Sequence, residues 1–278
     1  MSLREKVVVI VGGGRGLGRA YALACAAQGA RVVVADLGCS PDGDGRDPSV
    51  AESVAHAIEA HGGQASALCE DIGELGAADR IVEHARSRFG RLDGLVASAG
   101  LAFDRSVLKT EAAELDRALD VMVRGSFALV RAGARAMMET GGGAIVLHAA
   151  PVALFGAIRQ SVMAGASGAV LGLTRSAAIE LRKHRVRVNA VAPTARTRLT
   201  EHLPLFHGIA PSSMTPEQVA PVVVFLLSDL ATEVTGEIVG AAGNRIYALR
   251  ARETPGSFGD VEWTAERIAA AWTDITRQ

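Results

Sequence analysis

The sequence has few of the side chains that build metal centres, disulfide frameworks or charged binding surfaces. Its three cysteines, Cys25, Cys39 and Cys69, form no C-x-x-C pair and have no histidine at ligand spacing, which argues against a metal site and a disulfide framework. The net charge of −1 favours neither nucleic acid nor an anionic membrane surface as a partner. No apolar run reaches the roughly 18 residues that cross a bilayer.

Tyrosine and lysine are also scarce. The chain has two tyrosines, Tyr21 and Tyr247, and three lysines, Lys6, Lys109 and Lys183. Neither tyrosine is followed by a lysine four residues later, the spacing that places two side chains on one helix face. Chemistry that depends on such a helical Tyr–Lys pair is therefore excluded, whatever the alignment.

Apolar residues, by contrast, are abundant. The 278 residues are 49% hydrophobic, with a mean hydropathy of +0.24. This length and apolar content are enough to form the hydrophobic core of one large domain. The amino-terminal MSLREKVVVIVGGG enters a strand too early to be a cleavable signal. We therefore expect a cytoplasmic protein.

The stretch from Lys6 to Asp36 organises the chain. A β-branched run at 7–11 precedes glycines at positions 12, 13, 14, 16 and 18, a helical run and a second strand at 31–35. Glycines let a backbone approach a pyrophosphate, and a helix N-terminus attracts anions. Asp36, at the end of the second strand, can accept ribose hydroxyls and would repel a 2′-phosphate. This combination predicts a dinucleotide site.

Strands and helices alternate along the rest of the chain. The spacing predicts further strands at 64–68, 92–96, 144–147, 186–192 and 237–239, and helices at 50–61, 77–89, 111–140 (one or two), 163–183 and 216–227. We read the polar segment 38–49 as a flexible surface insertion. The pattern predicts an α/β fold, a doubly wound parallel Rossmann sheet of about seven strands in a single domain spanning 1–278. Ligands then bind beyond the carboxyl ends of the strands.

The spacing Gly12-x-x-x-Gly16-x-Gly18 resembles the glycine motif of the short-chain dehydrogenase/reductase family, and the resemblance covers nearly the whole chain. GRAYALA at 18–24, TPEQVAPVVVFLLSD at 215–229 and TAERIAAAWTDI at 264–275 look like the dehydrogenase part of peroxisomal multifunctional enzyme type 2 and its bacterial relatives. The resemblance implies an NAD(P)-dependent oxidoreductase acting on 3-hydroxyacyl-CoA or steroid-like alcohols.

Cofactor positions carry over from the resemblance one by one. Asp36 matches the carboxylate that selects NAD, whereas Arg15 occupies a position where basic residues can favour NADP. We side with Asp36, because carboxylate and phosphate repel each other directly, so we expect NAD as cofactor. The matching residues are Gly12, Arg15, Gly16, Leu17, Gly18, Asp36, Leu37, Asp71, Ile72, Ala99, Gly100, Pro193 and Thr197.

The catalytic positions implied by the resemblance are all replaced. The family uses an Asn, a Ser, a Tyr and a Lys, and the matching positions hold Met122, Ala150, Met163 and Ser167. These side chains supply no acid or base for the alcohol oxygen. Loss of the lysine also removes a ribose contact, so cofactor binding should be weakened.

Several residues are candidates for substitute chemistry. His148, at the end of the fifth strand, can face the cleft and titrate near neutral pH, although a hydrogen-bonded strand-end histidine is the more common role. Ser161 and Ser167 have no activating base at a recognisable spacing. His202 and His207 lie in a polar loop where histidines are usually incidental.

Two functions therefore compete. One is an NAD(H)-binding protein that is catalytically impaired or serves as a partner subunit, a pseudoenzyme. The other is an active NAD-dependent oxidoreductase that uses His148. By resemblance, segment 194–214 is a substrate lid, 250–278 is a carboxyl-terminal extension, and the long helices pair subunits. A homodimer or homotetramer is then expected, or a mixed oligomer with an active relative.

Overall fold

The structure, a computed structural model, describes residues 2–259 and 262–277. The chain forms two compact units, residues 1–248 and residues 249–278. The first is the sheet domain. The second contains helix α9 (Ala265–Thr276), whose first turn is capped by the Thr264 side chain, and in which the Thr254 hydroxyl donates to the Ile275 carbonyl.

The sheet has eight strands among the described residues, in the order β3-β2-β1-β4-β5-β6-β7-β8. Six neighbouring pairs are parallel and the β7–β8 pair is antiparallel. The chain order reverses between β1 and β4, which opens a crevice at their carboxyl ends. The strands are β1 (Val7–Val11), β2 (Arg31–Ala35), β3 (Gln64–Leu68), β4 (Gly94–Ala97), β5 (Gly143–His148), β6 (Val186–Thr194), β7 (Ile238–Ala242) and β8 (Arg245–Ala248).

Helices cover both faces of the sheet, because its strands are apolar on both sides. Helix α1 packs against α2 and α8 in one layer, and α5 packs against α3 and α7 in the other. The doubly wound fold is thereby confirmed. The helices are α1 (Gly16–Ala27), α2 (Ser49–Ala60), α3 (Ala77–Phe89), α4 (Ala112–Ala118), α5 (Gly125–Glu139), α6 (Val152–Phe155), α7 (Ser161–Leu181) and α8 (Pro216–Leu227).

The prediction of about seven strands did not include β8. Ala242 of β7 pairs with Arg245 of β8 across a two-residue Gly243–Asn244 loop, in which Gly243 has φ +56°. Such a loop is the shortest connection of a hairpin, and glycine supplies its positive φ. The strand itself is mostly exposed and not an apolar run, which is why a search for buried strands missed it.

The predicted helical segment 111–140 divides at a π-helical stretch, Leu119–Arg124, between α4 and α5. Met122 lies in this stretch, and its carbonyl accepts the Ser126 hydroxyl at 2.6 Å. Such insertions bulge one residue out of the α-helical register and occur frequently at functional sites.

Helix α7 and the short turn after it, Ser161–His184, are long and apolar enough to cross a membrane by length and composition. The expectation that no such run exists was therefore wrong, because small polar residues and Arg175 interrupt the run without much lowering its mean hydropathy. One face of the helix, including Val162, Val170 and Ala177, is buried. The helix packs against β6 as a core helix of the sheet domain.

Candidate functional site

A cleft of about 330 Å³ lies at the carboxyl edge of the sheet. It brings together every residue that the sequence predicts at the cofactor, and also Met122, His148, Ala150, Met163 and Ser167. The cofactor residues in its lining are Gly12, Arg15, Gly16, Leu17, Gly18, Asp36, Leu37, Asp71, Ile72, Ala99, Gly100, Pro193 and Thr197.

The glycine turn packs too tightly for side chains. A Cβ on Gly18 would lie 2.0 Å from the Gly12 carbonyl oxygen, and one on Gly12 would lie 2.6 Å from the Ala99 nitrogen. Gly12 and Gly16 also have φ of +75° and +51°, a region that favours glycine. These contacts bring the start of α1 against the ends of β1 and β4.

The first turn of α1 is open to a ligand. Within the described chain, no side chain caps it and it contains no acidic residue. Its backbone N–H groups and the helix dipole therefore remain available to an anion.

Asp36 is fixed beside this turn. Its Oδ2 accepts the Gly14 amide at 2.8 Å and its Oδ1 accepts the Gly38 amide at 2.7 Å. A carboxylate offers about four acceptor sites, so each oxygen keeps one for a hydroxyl donor. Gly14 has to be glycine, because a Cβ there would lie 3.0 Å from Oδ2 and 2.4 Å from Val50.

Of the loop after β2, Cys39 lines the cleft, whereas eight of the nine residues at 41–49 are exposed, in agreement with the predicted surface insertion. The Cys39 carbonyl accepts Nη1 of Arg15 at 2.8 Å and Nη2 of Arg198 at 3.0 Å. The Pro41 carbonyl accepts the Ala102 amide at 3.1 Å. The loop is thereby attached to the segment after β4 and, through Arg198, to segment 194–214.

Asp71 receives three donors at the same end of the cleft. Arg117 donates Nη1 to Oδ1 at 3.2 Å and Nη2 to Oδ2 at 2.9 Å, and the Gly73 amide donates to Oδ1 at 2.8 Å. Arg117 was not predicted as a site residue, because nothing in the sequence indicates a contact across 46 residues.

The other end of the cleft, between β5 and α7, is mostly apolar. Ser167 is fully buried, and its Oγ accepts the Ala150 amide at 3.1 Å and donates to the Met163 sulfur at 3.7 Å. The hydroxyl is therefore occupied by protein groups. Met122 and Met163 present adaptable apolar surface on either side.

Tyrosine and lysine are absent from the described residues of this cleft lining. Tyr21 is fully buried in the core, and Tyr247 lies on β8 against Gly240. Lys6 pairs with Asp229, and the other two lysines are exposed.

His148 has the role that we considered more common, a hydrogen-bonded histidine at a strand end. Its Nε2 lies 3.3 Å from the Tyr21 hydroxyl. Burial lowers the pKa of His148 to about 4 and raises the pKa of Tyr21 above its ordinary value. The imidazole also reaches the cleft, where it is neutral at physiological pH.

A polar cluster at the cleft rim was not predicted. Asp104 lines the cleft and binds the side chains of Gln160 and His202, while its carbonyl accepts Nε of Arg159 at 2.9 Å. His202 is therefore paired rather than incidental. His207 and Ser161 are exposed and lie outside the cleft lining.

Together, the glycine turn, the open first turn of α1 and the Asp36 carboxylate, at the switch point of a doubly wound sheet, define a dinucleotide-binding protein. A family model described as Enoyl-(Acyl carrier protein) reductase matches residues 12–243. The chain belongs to the short-chain dehydrogenase/reductase family, whose members use NAD(P).

Similar proteins cover the whole chain. A peroxisomal hydratase-dehydrogenase-epimerase of Saccharomyces cerevisiae is 35% identical over 99% of this chain, which spans 30% of that longer protein. A putative short-chain type dehydrogenase/reductase of Mycobacterium tuberculosis is 32% identical over 99% of this chain and 95% of its own. The crystal structure of a short chain dehydrogenase from Mycobacterium avium is 34% identical, with a TM-score of 0.87 over 99% of this chain and 96% of that one.

Proposed function

We propose that this protein binds NAD(H) and is catalytically impaired, serving as a binding or partner subunit rather than as a self-sufficient dehydrogenase. The observation that carries the proposal is the contrast between the two ends of one cleft. The glycine-turn end keeps its donors and acceptors, whereas the β5–α7 end holds Met122, Ala150, Met163 and an occupied Ser167.

NAD rather than NADP is the proposed cofactor. Both Asp36 oxygens are held by backbone amides and keep acceptor sites for ribose hydroxyls. A 2′-phosphate at the same place would meet a carboxylate at close range, which is strongly unfavourable outside bulk water. Arg15 keeps its positive charge, with one donor held by the Cys39 carbonyl, and we give more weight to the Asp36 carboxylate, which two backbone amides fix in place.

Impairment follows from the missing proton donor. Hydride transfer to a carbonyl leaves an alkoxide that has to be protonated, and a positioned acid or base contributes roughly 10²–10⁴-fold to the rate. Donors that stabilise the oxyanion contribute a further large factor. Methionine and alanine supply neither, and without a lysine the ribose of the nicotinamide half loses a contact, so binding is weakened.

An active NAD-dependent oxidoreductase that uses His148 is the second candidate. It is favoured by one observation, that the imidazole lines the cleft. The pKa of about 4 weighs against it, because only about one imidazole in a thousand is protonated at pH 7. Such a group is a poor acid, and its conjugate base is weaker than a general base poised near neutrality.

The ligands and partners are proposed from the family resemblance. An acyl-CoA or a steroid-like alcohol suits the apolar β5–α7 end, lined also by Val152, Phe103 and Phe206. Exposed apolar side chains on α5 and α7, Phe127 and Ile179, support a homodimer or homotetramer, or a mixed oligomer with an active relative. We propose a cytoplasmic location.

Calorimetric titration with NAD⁺, NADH and ADP-ribose tests the proposal. We expect all three to bind at one site per chain, with dissociation constants within about threefold of one another. The mostly apolar β5–α7 end should make few specific contacts with the nicotinamide ring, so the ring should add little affinity. The proposal would be contradicted if NADH bound at least tenfold more tightly than ADP-ribose. It would also be contradicted if none of the three ligands bound.

A further inference from the structure

The hydroxyl of Tyr21 is a buried polar group whose proton needs an acceptor. The Tyr21 side chain lies on α1, is fully buried and does not belong to the cleft lining. Among the described residues its one hydrogen-bond partner is Nε2 of His148, at 3.3 Å. A buried hydroxyl hydrogen without an acceptor is costly, so we expect this hydrogen to point at Nε2.

The direction of this hydrogen bond decides the tautomer of His148. If Nε2 carried the proton and donated it to the Tyr21 oxygen, the hydroxyl hydrogen would have no acceptor in the described core. If the hydroxyl donates to an unprotonated Nε2, both groups are satisfied. The single proton of the neutral imidazole then lies on Nδ1.

Nδ1 is the nitrogen that a ligand can reach. Within the described chain it has no hydrogen-bond partner, yet it is accessible to solvent rather than enclosed. His148 is half-buried and lines the cleft at the end of β5. The cleft therefore contains an N–H donor that no described protein group accepts.

We propose that Tyr21 is a positioning residue that fixes His148 as a neutral Nδ1–H donor, and that this donor binds a carbonyl oxygen of a ligand at the β5–α7 end. This end is mostly apolar, and in such a site a few polar groups orient the ligand. A carbonyl oxygen suits an obligatory donor, because it only accepts hydrogen bonds. The inference rests on the proposed function, since it takes an acyl-CoA or steroid-like ligand at this end.

Such a donor does not replace the missing acid. A neutral imidazole could release its Nδ1 proton only by becoming an imidazolate anion, which is strongly disfavoured at neutral pH. His148 therefore binds the oxygen without protonating it, which agrees with a protein that binds ligands and turns them over poorly.

Nitrogen-15 NMR of the ligand-free full chain at pH 7.5 tests the tautomer directly. A protonated and an unprotonated ring nitrogen have well-separated shifts, and the signals of His148 among the seven histidines are those lost in His148→Phe. We expect Nδ1 to be fully protonated and Nε2 to be unprotonated in the wild type.

Tyr21→Phe tests the positioning role, because it removes the hydroxyl and keeps the ring. Without this donor, Nε2 is no longer held in its unprotonated form, so both His148 shifts should move toward intermediate values. Tyr247→Phe is the matched control, since Tyr247 lies on β8 outside the cleft lining, and it should leave the His148 shifts unchanged. A merely structural role for Tyr21 would not change the tautomer.

Calorimetry with acetoacetyl-CoA and butyryl-CoA tests the carbonyl ligand, because the two differ in the 3-oxo group. NAD⁺ is present, since it cannot deliver a hydride to a ketone. We expect the wild type to bind acetoacetyl-CoA about tenfold more tightly, the contribution of one hydrogen bond. The preference should fall below about threefold in His148→Phe and stay at about tenfold in Tyr247→Phe.

The failures are distinguishable. A protonated Nε2 in the wild type, or a pure Nδ1–H tautomer in Tyr21→Phe, would overturn the role of Tyr21. Equal binding of the two thioesters, binding of neither, or a tenfold preference kept in His148→Phe would overturn the carbonyl ligand. None of these results decides dinucleotide binding, which the titration with NADH and ADP-ribose tests separately.

Discussion

At the scale of single residues, the cleft combines predictable positions with unpredictable contacts. Asp36 and the glycines were located from spacing alone, because a strand, a glycine turn and a helix have a fixed local geometry. Arg117 and Arg198 were not, since they meet Asp71 and Cys39 across 46 and 159 residues. Spacing shows which side chains are missing from a site, but not which ones the fold brings into it.

His148 leads to a pH-dependent prediction. Its pKa is about 4 in the folded chain and about 6.5 in an unfolded one. Its stabilising contribution is therefore complete above pH 6.5 and is lost as the pH falls toward 4, because the unfolded chain then binds the proton more readily. Between pH 7.5 and 5, the stability advantage of the wild type over His148→Ala should shrink by about 2 kcal/mol.

Urea unfolding of both proteins at the two pH values measures this change. All other titrating groups are shared, so they cancel in the difference. A stability difference that stays constant over this range would show that His148 titrates normally, which would restore it as a candidate acid.

At the scale of elements, strand and helix bounds followed closely from periodicity. Strand β3 and helix α3 lie where the pattern places them, at 64–68 and 77–89. Strand β8 was missed, although the Gly243–Asn244 pair is a recognised hairpin signal. The π-helical stretch around Met122 gives no sequence signal of its own, although in the structure it packs against α7.

The contact between α1 and the glycine turn gives a prediction at this scale. Gly18→Ala places a Cβ 2.0 Å from the Gly12 carbonyl oxygen, so α1 has to shift. We expect a loss of about 1–3 kcal/mol in the free energy of unfolding, as for other overpacked sites, and at least tenfold weaker NADH binding.

Gly165→Ala is the matched control, because an added Cβ there meets open space on α7. It should leave NADH affinity unchanged, because Gly165 lies outside the cleft lining, and its effect on the free energy of unfolding should be smaller than that of Gly18→Ala. Thermal unfolding and NADH titration of both variants check the pair. Equal effects of the two substitutions would contradict the tight packing of the turn.

At the scale of the whole molecule, we expect self-association through α5 and α7. Ile179 is 78% exposed on α7 although it is a large apolar side chain. Ile179→Glu should convert the assembly to smaller species in light scattering, because a buried, unpaired carboxylate is costly. Leu75→Glu, at a residue 83% exposed in the turn after β3, should leave the mass unchanged.

A wild-type chain that is monomeric at micromolar concentration would contradict the assembly proposal. Unchanged mass in Ile179→Glu would instead place the contact elsewhere on the chain. Neither result bears on the cleft, whose residues all come from one sheet domain.

The most direct test of the whole account is the turnover rate of the purified wild-type chain, saturated with NADH or NAD⁺, on a panel of acyl-CoA and steroid carbonyls and alcohols. If the cleft has no proton donor for the substrate oxygen, as we propose, nicotinamide absorbance should not change above the uncatalysed background. Turnover at about 1 s⁻¹ or faster, within the ordinary range of enzymes, would contradict the proposed impairment.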